Sequence, residues 1–166
     1  MHNLKPTAAS SLSLPPDSYI YSIDASSSGS FAAISSDDSL RVFDAGSLDL
    51  ISLVSAKTHD GGVTSLRTYS AGDHPLLTTV GRDGLAKLWD LRTGNSSAVV
   101  NLQMQRKVPV LSVACCPDTN SIVAGTELAS SQAVVAFWYA LYVYLPVGFN
   151  SYTPLDRNKI LRKGEQ

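Results

Sequence analysis

The chain has 166 residues, enough for one domain, with 44% hydrophobic and 16% charged residues, a globular composition well away from the low-hydrophobicity, high-charge class that stays disordered. Thirteen basic and 14 acidic residues leave a net charge of −1, with no basic stripe interleaved with aromatics, so neither nucleic acid nor an anionic membrane is an expected partner. The two cysteines, Cys115 and Cys116, are adjacent and the three histidines, His2, His59 and His74, are scattered; this spacing suits neither a disulfide nor a metal site, and no metal or other cofactor is expected.

Residues 1–18 contain no apolar run of signal-peptide type, which points to a cytoplasmic or nuclear protein. Three segments with one grammar follow: Tyr19 to Asp44, Val63 to Asp90, and Val110 to Trp138. Each is an alternating run, a polar turn, a second apolar run, another turn, and a third run ending in an aromatic. The aromatics are Phe43, Trp89 and Trp138, spaced 46 and 49 residues apart. The runs are short, rich in Val, Ile, Leu, Tyr and Thr, and bounded by Gly, Asp, Asn, Ser or Pro, so they read as strands. A fourth run follows the aromatic twice, at Leu50–Val54 and Ala98–Leu102.

The turns are legible too. Asp83-Gly84 is a strong hairpin signal, because glycine takes the positive φ that a tight turn requires. Asp37-Asp38 stands at the matching place in the first repeat, and Asp tolerates the left-handed region better than most residues. The connection Glu127–Gln132 has no Asp-Gly and predicts a looser turn. No phosphate loop, zinc-ligand spacing or nucleophile motif is present, so no catalytic residue is expected and the chain reads as a non-enzyme.

Asp83-Gly84 followed by Leu88-Trp89-Asp90, and preceded by His59-Asp60-Gly61-Gly62-Val63, resembles a complete WD40 repeat. The resemblance implies an all-β fold: a partial β-propeller of about three four-stranded antiparallel blades, at 19–55, 59–103 and 108–138, in an incomplete ring. It also implies a hydrogen-bonded tetrad of His59, Thr79, Asp83 and Trp89 that stiffens the second blade. The other repeats depart from the pattern, with Ala33 at the hydroxyl place, Phe43 for Trp and Tyr139 after Trp138. In this family the residue before the turn Asp faces the upper surface, which makes Ser36 and Arg82 candidate partner-binding residues. The Leu40–Asp44 blade end together with Gly125–Leu128 resembles the WD repeat-containing protein 89 group.

The function implied is a protein–protein interaction scaffold whose partners are other proteins. A closed ring needs roughly 4–8 blades, so self-association through open blade edges is also expected. Leu12-Ser13-Leu14, within residues 1–18, resembles the outer strand of a last blade that is missing. After Trp138 the repeat grammar stops. The codons for Trp138, Tyr139 and Ala140 read TGGTAYGC, whose GTAYG resembles an intron start. The tail 139–166 is therefore expected to be intron read-through in a truncated member. Two alternatives follow: a truncated product without function, and a tail-anchored, membrane-associated WD-repeat protein. For the latter, the uncharged run from Ala133 to Phe149 precedes Arg157, Lys159, Arg162 and Lys163. An anchor needs about 20 apolar residues without such interruptions as Pro146 and Gly148, so no membrane is expected.

Overall fold

The computed structural model describes residues 14–26, 29–71, 74–91, 100–103, 107–119, 121–128 and 134–139. The strand expected at 12–14 falls almost wholly outside these residues, as do the tail beyond Tyr139 and much of the Glu127–Gln132 connection.

The described residues form three antiparallel sheets. The first runs β1 (Ile20–Ala25), β2 (Ser30–Ser35), β3 (Leu40–Asp44), β4 (Leu50–Ser55), each strand pairing with the next. The second repeats this with β5 (Val63–Ala71), β6 (His74–Gly81), β7 (Leu85–Asp90) and β8 (Val100–Gln103). The third has three strands, β9 (Val110–Cys116), β10 (Ser121–Thr126) and β11 (Val135–Tyr139). One 3₁₀ turn, Pro117–Thr119, is the only helical element among the described residues. Among the described residues the fold is all-β, a partial propeller of three blades. No helix among the described residues is long and apolar enough to cross a membrane, and Val135–Tyr139, inside the uncharged run, is a blade strand.

Register shows that the blades are copies. Phe31 pairs with Phe43, Leu77 with Trp89, and Ile122 with Trp138, so all three aromatics sit opposite the same place of the preceding strand. Two residues further along stand Ala33, Thr79 and Ala124. The tight turns use positive φ where expected, at Asp38 (63°) and Gly84 (78°), the latter free of a side-chain penalty.

Each blade also has a bulge at the start of its first strand. The register skips Tyr21, Thr64 and Leu111, one extra residue in each blade. A bulge re-aims the extra side chain, and here two of the three are aimed at the next blade. The Tyr21 hydroxyl donates to the Val63 carbonyl. The Thr64 hydroxyl reaches the Val110 carbonyl, and also the Val80 carbonyl of its own blade at 3.0 Å. Burial, then the negative charge of Asp38, pushes the Tyr21 phenol up to about 12, so it stays a donor. Lower on the first seam, the Asp24 carboxylate accepts the Thr68 N–H at 2.7 Å and its hydroxyl at 3.1 Å.

The core lies between blades. Strand alternation sends Leu66, Leu77 and Trp89 to one face of the second blade, where they pack with Ala32, Ile34, Leu40 and Val42. Leu76, Val80, Ala86 and Leu88 go to the other face, against Val110, Val113, Ile122 and Ala124. Loss of either seam hydroxyl leaves a carbonyl without its donor. Tyr21→Phe and Thr64→Val are each expected to lower stability by about 1 kcal/mol in urea denaturation. The control Tyr19→Phe, at a ring 64% exposed, leaves the midpoint unchanged.

Candidate functional site

The site is built at the hairpin end of the second blade. Gly61 and Gly62, at φ 82° and 106°, turn the chain into β5 and leave His59 buried beside the β6–β7 hairpin. The His59 Nδ1 lies 2.9 and 3.1 Å from the two Asp83 carboxylate oxygens, and Nε2 lies 2.9 Å from the Thr79 hydroxyl. The Trp89 indole N–H donates to that same hydroxyl at 2.9 Å. One proton arrangement satisfies every atom. The indole donates to Thr79, Thr79 donates to Nε2, and Nδ1–H donates to Asp83. A neutral imidazole is required, and burial pushes the His59 pKa below its ordinary 6.5, outweighing the opposing hydrogen bond and charge of Asp83. The contact is thus a hydrogen bond to a carboxylate and not a pair of full charges.

Asp83 is held from other sides as well. It accepts the backbone N–H of Leu85 at 3.1 Å and of Asp60 at 3.3 Å, and the Lys87 ammonium stands 3.8 Å away. Lys87 also donates to the Thr58 carbonyl at 2.6 Å, tying the His59 loop to β7. Gly81 matters through what it lacks: a Cβ there would stand 2.4 Å from His59 Cγ. Neither Gly81 nor Lys87 was singled out in the sequence. The signal for Gly81 was only its place two residues before Asp83.

The first blade meets the same need with other atoms. Ala33 stands at the Thr79 place, Ser35 at the Gly81 place and Arg41 at the Lys87 place. The buried Arg41 guanidinium donates to the Ser35 hydroxyl at 2.7 Å, to Asp37 at 3.0 Å, and to Ser39. Burial raises the Asp37 pKa, but the bonds from Arg41, Ser35 and Ser39 outweigh it and hold the carboxyl well below the ordinary carboxylate range. Ser35 ends β2 and Arg41 lies in β3, so the hairpin turn brings them together around Asp37 and Ser39, which lie in the turn itself. The third blade has Ala124 without a hydroxyl and a half-buried Trp138 packed against the core it shares with the second blade.

Ser36 and Arg82 are exposed, each immediately before its turn Asp. The Ser36 hydroxyl accepts the Tyr19 N–H at 3.1 Å, and the Arg82 N–H donates to the Gly62 carbonyl at 3.0 Å. The 58–62 loop joins the two turns: the Thr58 N–H donates to the Asp38 carbonyl at 2.9 Å, and a Cβ on Gly61 would lie 3.4 Å from Arg82 Cβ. Both residues therefore lie at the hairpin end of adjoining blades. Among the described residues no group of three or more His, Cys, Asp or Glu side chains could hold a metal ion. Burial pushes the Cys115 thiol up to about 11, so it carries little thiolate.

The profile of the WD domain, G-beta repeat, matches residues 9–44 and 51–90. Among curated proteins the chain is similar to the probable coatomer subunit beta' of Schizosaccharomyces pombe, at 27% identity over 136 residues. That match takes in 77% of this chain and spans only 15% of the relative.

Two outcomes follow from this geometry. Gly81→Ser is expected to lower stability by about 1–3 kcal/mol by overpacking against the ring. Most of that loss vanishes in a His59→Ala background, a non-additivity read from a double-mutant cycle in urea. The second concerns pH. The folded His59 binds its proton more weakly than the unfolded one, so its contribution is complete above about 6.5 and declines as pH falls through the window below it. Melting temperature should fall between about pH 7.5 and 5.5, and His59→Gln should flatten that slope.

Proposed function

Since the chain carries WD40 repeats, we propose that it is a non-enzymatic scaffold that binds other proteins through the hairpin end of its blades. One observation carries this reading. The bond chain from Trp89 through Thr79 and His59 to Asp83 is buried and immobilises the turn bearing the exposed Arg82. Loops on a rigid frame are where binding residues concentrate, because the frame bears the ordering entropy beforehand. Ser36, on the neighbouring turn, extends the same rim. The relative from Schizosaccharomyces pombe is by name a subunit, a protein that works within an assembly, in keeping with partner binding.

The tetrad residues act structurally in this reading, and none performs chemistry. His59 is buried and kept neutral, and its partner hydroxyl on Thr79 is also buried, so neither meets a substrate. Within WD-repeat proteins, the Leu40–Asp44 and Gly125–Leu128 segments favour the WD repeat-containing protein 89 group. A cytoplasmic or nuclear location suits this assignment.

A photo-crosslinking residue placed at Arg82, at Ser36, or at the exposed Ser47 of the β3–β4 turn tests the surface. Adducts of defined mass are expected from cell extract at the first two positions and not at the third. Equal labelling at all three, or none at Arg82 and Ser36, would exclude this rim as the binding surface.

A further inference from the structure

The repeat register shows what each blade face is shaped to meet. On the face that receives the preceding blade, Leu66 and Val113 occupy one equivalent place, three residues after Val63 and Val110, and both are buried in a seam. The residue at that place in the first blade is Ile23, which is 57% exposed. The face that receives the following blade shows the same contrast. Leu40 and Ala86 hold one place and are fully buried, whereas Val135, at that place in the third blade, is 59% exposed. The first blade thus presents the half of a seam that the third blade complements. Both outer faces continue the stack of the two interfaces already formed within the chain.

We propose that the occupant of these faces is a second copy of this chain, packed head to tail, with the third blade of each copy on the first blade of the other. The three described blades of each copy together make six, within the roughly 4–8 blades at which such stacks close, so the assembly closes as a dimer with two like junctions. The bulge adds a detail. Tyr21 and Thr64 carry hydroxyls that reach the next blade's first-strand carbonyl, and Leu111, at the same place in the third blade, is apolar and exposed. Each intermolecular junction therefore lacks the hydrogen bond that both internal seams have. It would place Leu111 near the Ile20 carbonyl. This inference rests on the repeat register and stands whether or not the rim at Arg82 binds a partner.

The test is sedimentation velocity on the 166-residue chain and three variants, with circular dichroism confirming strand content. The unsubstituted chain is expected to sediment as a dimer. Ile23→Asp and Val135→Asp should each give monomer, because every junction uses both residues. An equimolar mixture of the two variants restores one intact junction, so a heterodimer should reappear, a rescue that misfolded chains cannot show. Leu111→Thr should tighten the dimer several-fold. A monomeric unsubstituted chain would overturn the proposal. So would an assembly that survives Val135→Asp while yielding to Ile23→Asp, which is the signature of two first blades packed face to face.

Discussion

A sheet of three or four strands has two faces and no thickness with which to bury them, so each blade depends on a neighbour for its core. The second blade shows the constraint at full strength. Its strands alternate apolar residues to both sides, Leu77 and Trp89 toward the first blade, Leu76 and Leu88 toward the third. A one-residue slip of β6 or β7 would exchange these sets and bring Thr78 and Thr79 to the wrong seams. The turns, bulges and buried polar groups all serve to hold that register.

The hairpin ends of the first two blades pose a separate problem. A turn carboxylate there is partly withdrawn from water and needs donors. The second blade supplies a histidine and two backbone N–H groups, and the first blade supplies an arginine and two serines. The choice between them turns on one atom. At Gly81 the missing Cβ leaves room for an imidazole, whereas Ser35 fills that volume and offers its own hydroxyl. The arginine cluster is charged and the histidine chain neutral, so acid affects them differently. The histidine chain weakens below about pH 6.5, while Asp37 keeps its charge below the ordinary carboxylate range.

The bulges give the stack a direction. Tyr21 and Thr64 each reach forward along the chain to the next blade and never backward, so neighbouring blades are joined by a bond whose donor and acceptor are not interchangeable. Directional joints favour head-to-tail packing over symmetric pairing of like faces. Joined in this way, the turns carrying Ser36 and Arg82 lie on one rim and share the 58–62 loop. A rim fixed by two internal joints would lose little freedom on meeting a partner, which is the physical advantage the proposed docking role would draw from this frame.

The repeats themselves were legible because they are local. Strand alternation, the Asp-Gly turn and the recurring aromatic each lie within a few residues, and period two with a positive-φ turn leaves little choice of structure. The residue types of the His59, Thr79, Asp83 and Trp89 chain were readable through resemblance, since nothing in the spacing of four residues across 31 positions shows that they touch. The Arg41 cluster is not legible although it lies within seven residues, because serines, aspartates and an arginine around a hairpin turn read equally well as a solvated loop. Only the packed neighbours decide that it is buried. The empty volume at Gly81, the forward aim of Tyr21 and Thr64, and the exposure of Ile23 and Val135 likewise belong to the tertiary structure. A sequence specifies which groups can bond and which face each occupies on its strand. Which faces find a neighbour depends on distances between segments far apart in the chain, and those exist only after the blades have stacked.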